Sequence, residues 1–149
     1  MVTQNRVTVD LASIPENVGV ARLLAAMIAA QADFTMAEVD EVKLAVSEAV
    51  TNAVVHGYGG QPGHLVRLEI RLEEGQLEVV VADTGRGIAD LQLAMQPAVS
   101  SDPERMGLGF CFMESHMDSL QVDSAPGRGT RVFMTKRASA LHMAGASAN

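Results

Sequence analysis

Glu48 and Asn52 stand four residues apart in the stretch TMAEVDEVKLAVSEAVTNAVVHGYGG, which runs from Thr35 to Gly60. On a helix that spacing stacks their side chains on one face. A carboxylate one turn from a carboxamide has the parts to orient a hydroxyl and to hold a hydrated metal ion. The same pair also fits a solvated polar face, where most charged residues sit. Asp83 closes a second stretch, QLEVVVAD. Period two puts it on the same side as Leu77, Val79 and Val81. A carboxylate at the edge of an apolar layer needs a donor, and a backbone amide or a ligand amino group would serve. TGRGI follows, where Gly85 and Gly87 permit close backbone approach or positive φ. MGLGFCFMESHM opens with Gly107 and Gly109, and free amides at a glycine-flanked helix start attract anions, phosphates above all.

Several elements must position these groups. Thr35 and Glu38 form a capping box that starts a helix, and Val39, Val42, Val46, Ala49, Val50 and Ala53 are its apolar stripe. Gly57, Gly59 and Gly60 are expected to end it. Upstream, NRVTVDL at residues 5–11 alternates as a first strand. Ser13 and Glu16 predict a second capping box, with Pro15 in the first turn, for a helix reaching about Ala32. Its stripe is Val18, Ala21, Leu24, Ala25 and Ile28; Arg22 lies off it, as a solubilising charge or a partner contact. After the glycine-rich turn, VRLEIRLE alternates so strictly that one face must be buried and the other wet, the mark of an antiparallel strand. Glu74-Gly75 then turns the chain into the strand that ends at Asp83. Residues 89–105 read as a short helical turn and a mobile loop, a length that is often functional. In the helix that follows, Phe110, Met113 and Met117 face the core. LQVDS and TRVFMTK, joined by APGRGT, form the last strands, with Thr130, Val132 and Met134 on one face. One domain is expected over residues 1–137, with 138–149 a flexible tail.

Composition excludes several functions. The 149 residues suffice for one core without staples, and 48% hydrophobic with 19% charged residues fits a globular chain. A formal charge of -7 repels a phosphate backbone, and only 3% aromatic residues leaves few stacking platforms, so direct nucleic-acid binding is not expected. The single cysteine, Cys111, has no disulfide partner and reads as a buried inert thiol suited to a reducing cytosol. His56, His64, His116 and His142 lack metal-ligand spacing, and His56 reads as a helix-end cap. No apolar run of about 18 residues and no leader pattern is present, so a cytoplasmic protein is expected. Walker and Rossmann signatures are both missing.

In order, SEAVTNAVVHGYGG resembles an N box, VADTGRGI a G1 box and RMGLGF a G2 box, with APGRGT closing the site. Together they resemble the GHKL (Bergerat-fold) ATP-binding superfamily. Within it, E-x-x-x-N-A-x-x-H-G-Y is similar to the anti-sigma serine kinases, the sporulation branch above all, with likeness over residues 5–137. The resemblance implies an α/β sandwich: a mixed, mostly antiparallel sheet with three helices on one face. It also implies roles. Asn52 would hold Mg²⁺ and Glu48 would take the proton from a serine hydroxyl. Asp83 would accept from the adenine amino group, supported by Gly85, Gly87 and Thr130. Gly107, Leu108 and Gly109 would offer amides to the phosphates, and Arg105 in the loop would reach the γ-phosphate. The loop is about two residues shorter than the family's usual lid, so Arg86 or a partner residue could substitute. ATP and ADP, a sigma factor, an anti-anti-sigma protein and a second copy of the chain are the implied ligands and partners. Arg22 would lie on the partner surface.

Three other functions share much of this pattern. A nucleotide-gated binding module without kinase activity would not need the base Glu48. The detached ATP-binding domain of a sensor histidine kinase is disfavoured, because about 35 residues before the N box are too few for a phosphoacceptor hairpin and the first strand. A stress-response anti-sigma kinase would use the same chemistry.

Overall fold

The computed structural model describes residues 4–96 and 106–139. Five strands form one sheet: β1 (Asn5–Ala12), β2 (Leu65–Glu73), β3 (Gln76–Asp83), β4 (Ser119–Ala125) and β5 (Gly129–Arg137), in the order β1-β2-β3-β5-β4. Every pairing is antiparallel, so the parallel pair that a mixed sheet requires is not found among the described strands. The alternation seen in the sequence sets the layering. Val66, Leu68, Ile70, Leu72, Leu77, Val79, Val81, Val132 and Met134 are buried on the inner face, whereas Arg67, Arg71 and Glu78 are exposed on the outer one.

Helices cover the inner face: α1 (Glu16–Ala29), α2 (Met36–Asn52), the short α3 (Leu91–Met95) and α4 (Met106–His116). Helix α2 starts as its sequence requires. Thr35 Oγ1 accepts from Glu38 N at 3.1 Å, and Glu38 Oε1 accepts from Thr35 N at 2.9 Å. Burial raises the Glu38 pKa, but bonds from Thr35 and Ser139 outweigh it and leave the carboxyl lowered. Lys136, almost fully buried, donates from Nζ to Glu41 Oε2 at 2.8 Å and to the His116 carbonyl at 2.7 Å. That cation pins the end of α4 to α2.

Several expectations are corrected or refined. Ser13 does not cap α1: the position before the helix is Pro15, which makes no side-chain cap bond. Ser13 instead donates to the Gln61 carbonyl and accepts from His64 N, so a contact distant in sequence wins over a local one. Helix α1 stops at Ala29, short of Ala32. Gly57 does end the helical run, but through one π turn, Ala53–Gly57, that follows α2 and is closed by Tyr58 N on Ala53 O at 3.0 Å. Cys111 is half-buried rather than buried. At the other end, Ala138 is buried and Ser139 bonds to Glu38 through its amide and hydroxyl, each at 3.0 Å, so packing extends two residues into the segment read as tail. Residues 140–149 and the greater part of the presumed loop, 97–105 with Arg105, lie outside the described residues.

Candidate functional site

One end of the site is built by α2 and α4. Glu48 and Asn52 are half-buried on the α2 face that meets the first turn of α4. A Cβ on Gly109 would sit 3.2 Å from both Glu48 Oε2 and Asn52 Nδ2, and 3.3 Å from Asn52 Oδ1. Only glycine lets the main chain of α4 approach the pair this closely without pushing it aside. Asn52 Nδ2 is buried and has no hydrogen-bond partner among the described residues. An unpaired buried amide costs free energy, so its retention points to a ligand that satisfies it. Leu108 is 47% exposed while Phe110 is buried, so Leu108 faces outward and Phe110 anchors α4 to the core through its ring.

The other end is built where β3 and β5 run out. Asp83 stands opposite Thr130 in the ladder and is buried. Burial pushes its carboxyl pKa up, opposed by bonds from the Gly85 and Thr130 amides. Gly85 N reaches Asp83 Oδ1 at 2.9 Å. The π turn closes over this carboxylate: a Cβ on Gly57 would lie 2.8 Å from Oδ1. The loop after Asp83 is pressed against main chain on both sides. A Cβ on Gly85 would meet Gly57 O at 2.0 Å, and one on Gly87 would meet Ala125 O at 2.0 Å. Arg86 N bonds to Gly57 O at 3.0 Å, and Gly127 N to Arg86 O at 2.7 Å. Thr130 is not idle. Ser124 Oγ accepts from Ile88 N and donates its single proton to Gly129 O, so the Thr130 hydroxyl must donate to Ser124, at 2.8 Å.

Asn52, His56, Asp83, Gly87, Phe110 and Thr130 line one cleft between the helices and the sheet. The structure therefore brings together Asn52, Asp83, Gly87 and Thr130, with Glu48 and Gly109 against Asn52 and Gly85 against Gly57. Gly107 and Leu108 begin the same helix as Gly109. Arg22 is exposed on α1 and does not line the cleft. Arg105 lies outside the described residues. Sequence reasoning missed Gly57, Tyr58, Ser124 and Gly129, and read His56 only as a cap. Ser124 and Gly129 carry no local signal, because their roles come from pairing across β4 and β5. Gly57 and Tyr58 belong to the H-G-Y run of the N box, which marks the motif but assigns neither residue a contact.

The cleft offers a buried carboxylate acceptor at the Asp83 end and a buried side-chain amide beside Glu48 at the Asn52 end. Among the described residues no cluster of three His, Cys, Asp or Glu side chains could hold a metal ion, so an ion here would draw on Asn52 and on oxygens of the ligand itself. Among them, too, no helix is long and apolar enough to cross a membrane.

The family described as histidine kinase-like ATPase domain matches residues 11–136. The chain is 44% identical over 138 residues to an anti-sigma F factor from Oceanobacillus iheyensis, covering 91% of this chain and 94% of the relative. It is 42% identical over 137 residues to an anti-sigma F factor from Clostridium beijerinckii, covering 91% and 96%. Among solved structures, the histidine kinase domain of a blue-light activated histidine kinase from Erythrobacter litoralis superposes with a TM-score of 0.57 at 23% identity. That match covers 84% of this chain and 61% of the other, and it speaks for the fold alone. The sheet, the cleft and these likenesses agree: the chain belongs to the histidine kinase-like ATPase domain family and, within it, to the anti-sigma F factors.

Proposed function

We propose that this chain is an ATP-dependent protein-serine kinase that phosphorylates a serine of an anti-anti-sigma protein and also sequesters a sporulation sigma factor. The observation that carries the kinase reading is the meeting of Glu48, Asn52 and Gly109 at one place, with the Asn52 amide buried and unpaired among the described residues. In this reading Asn52 would hold Mg²⁺, an ion suited to an oxygen ligand, and its buried amide would be satisfied by the nucleotide. Bound Mg²⁺ and ATP supply the electrophilic phosphoryl group and the charge that balances its transfer. Glu48 takes the proton from the incoming serine hydroxyl. The amides of Gly107, Leu108 and Gly109, at the start of α4, bind phosphate oxygens. Asp83 accepts from the adenine amino group, Gly85 and Gly87 let the backbone pass the ring, and Thr130 supports that end. Arg105 stabilises the transferring phosphoryl group. The chain works in the cytoplasm as a homodimer, with Arg22 on the dimer and partner surface. ATP and ADP bias which partner is held, through their differential affinity for the two complexes.

Glu48→Gln tests the assignment. It should slow phosphate transfer to the partner serine by about 100-fold or more while ATP binding stays within about threefold of wild type, because a general base contributes to the transition state and not to ground-state binding. Transfer at the wild-type rate would remove Glu48 from the mechanism. ATP binding in the wild type without transfer to any cognate partner would make the chain a nucleotide-gated binding module instead.

A further inference from the structure

Tyr58, the chain's one tyrosine, is buried just past the π turn. It does not line the cleft. Its hydroxyl donates to Leu65 O at 2.5 Å and accepts from Thr84 N at 2.9 Å, with Thr84 Oγ1 a third neighbour at 3.4 Å. Its ring stacks on His64, with 4.6 Å between centroids and 5° between planes. The residue before it, Gly57, accepts from Arg86 N at 3.0 Å. Three successive amides of the loop after Asp83 are thus each assigned: Thr84 to Tyr58, Gly85 to the Asp83 carboxylate, and Arg86 to Gly57. Two of the three acceptors belong to the end of the helical rod that also carries Glu48 and Asn52.

We propose that Tyr58 is a positioning residue for base recognition: through Thr84 its hydroxyl fixes the direction of the Asp83 carboxylate, and so the preference for adenine over guanine nucleotides. The inference rests on the nucleotide site proposed above. The Asp83 carboxylate is held inside at a desolvation cost, and water is the alternative it would turn to. The Gly85 amide that holds it inward keeps its place only while Thr84, one residue earlier, is tied to the phenol. A phenyl ring at position 58 leaves Thr84 N without its acceptor and frees the loop to shift by the small amount that misaims a single hydrogen bond. An exocyclic amino group needs that acceptor. The guanine carbonyl at the equivalent position gains nothing from it, so only the adenine nucleotide should suffer.

Tyr58→Phe is the test, read by titration with Mg-ATP and Mg-GTP and by amide hydrogen exchange in the folded protein. The ATP dissociation constant should rise about tenfold, the scale of one misplaced hydrogen bond, while that for GTP moves less than about twofold. Exchange at Thr84 N should speed up by about tenfold or more while the Val79 and Val81 amides of the sheet keep their protection. Equal changes in both nucleotides, or none, would overturn the proposal and leave Tyr58 a support for folding only. Unchanged exchange at Thr84 would overturn it too. A wild-type protein that binds neither nucleotide would instead remove the nucleotide site, and this inference with it. If the variant does not fold, global 3-fluorotyrosine labels this one position and keeps the hydroxyl. Its ¹⁹F resonance should then move on saturation with Mg-ATP and less with Mg-GTP; a resonance unmoved by ATP would overturn the proposal.

Discussion

Two glycine-bearing loops lie at the same end of the sheet, and their glycines do different work. In the loop from Tyr58 to His64, a Cβ on Gly59, Gly60 or Gly63 would meet nothing within 4 Å. In the loop from Thr84 to Ile88, a Cβ on Gly85 or Gly87 would lie 2.0 Å from a main-chain carbonyl oxygen. The first loop needs glycine only for its backbone conformation, with Gly59 at φ 63°. The second needs it because there is no room for anything else. YGGQPGH and DTGRGI look alike as strings of turn residues, yet one connects elements and the other is a wall of the cleft.

The sharpest way to break this contrast is Gly85→Ala. The added methyl must displace the Gly57 carbonyl, which carries the Arg86 bond, and the neighbouring Asp83 carboxylate moves with it. A loss of about 3 kcal/mol in stability is expected, since backbone cannot yield as a flexible side chain can. ATP binding should disappear in calorimetry even on protein shown to be folded. A fully stable, ATP-binding Gly85→Ala protein would mean the two loops are equivalent.

Asp83→Asn sharpens the contrast from the other side, because this wall buries a carboxylate that the proposed function assigns to a ligand. ATP affinity should fall by about 10- to 100-fold, the scale of a hydrogen bond to a charged group. Stability of the ligand-free protein should move the opposite way. Burial raises the Asp83 pKa above its unfolded value, so the folded state prefers the protonated acid. The stability tied to that proton is present below the ordinary carboxylate range and is lost as pH rises through the raised folded pKa. At neutral pH the wild type therefore carries an ionised, desolvated carboxylate that the asparagine lacks. Thermal melts should place the variant above wild type at neutral pH, with the gap closing near pH ~4. A variant less stable than wild type at neutral pH would contradict this.

The smallest effect belongs to the first loop. Gly59→Ala should cost about 1 kcal/mol through its left-handed φ, and leave the ATP dissociation constant within about twofold. A larger loss of affinity would mean that this loop also shapes the cleft.

Much of the arrangement was legible before any coordinates, for a physical reason. Strict alternation in VRLEIRLE, the capping box at Thr35 and the apolar stripe of α2 are short-range patterns that burial enforces residue by residue. Asp83 could be placed on the inner face from period two alone, and Asn52 beside Glu48 from helical spacing. What was not legible depends on partners far along the chain. Ser13 sits where a helix cap belongs, but its hydroxyl is taken by Gln61 and His64. The π turn has no local signature of its own, because Val54, Val55 and Gly57 mark a weakening helix end and not a widened turn. There the extra width lets Gly57 reach Arg86 and Tyr58 reach Thr84. Thr130 was placed on the right face, but its bond to Ser124 required knowing how β4 and β5 pair.

The proposed mechanism has Glu48 act as a base beside a nucleotide held by Asn52. It is tested most directly by incubating wild-type and Glu48→Gln protein with Mg-ATP and a cognate anti-anti-sigma protein, and then locating phosphate by intact-mass and peptide spectrometry. The predicted result is phosphate on one partner serine with the wild type, a loss of about 100-fold or more in rate with Glu48→Gln, and ATP binding retained in both. Phosphate on a histidine, or equal transfer by the two proteins, would contradict the account.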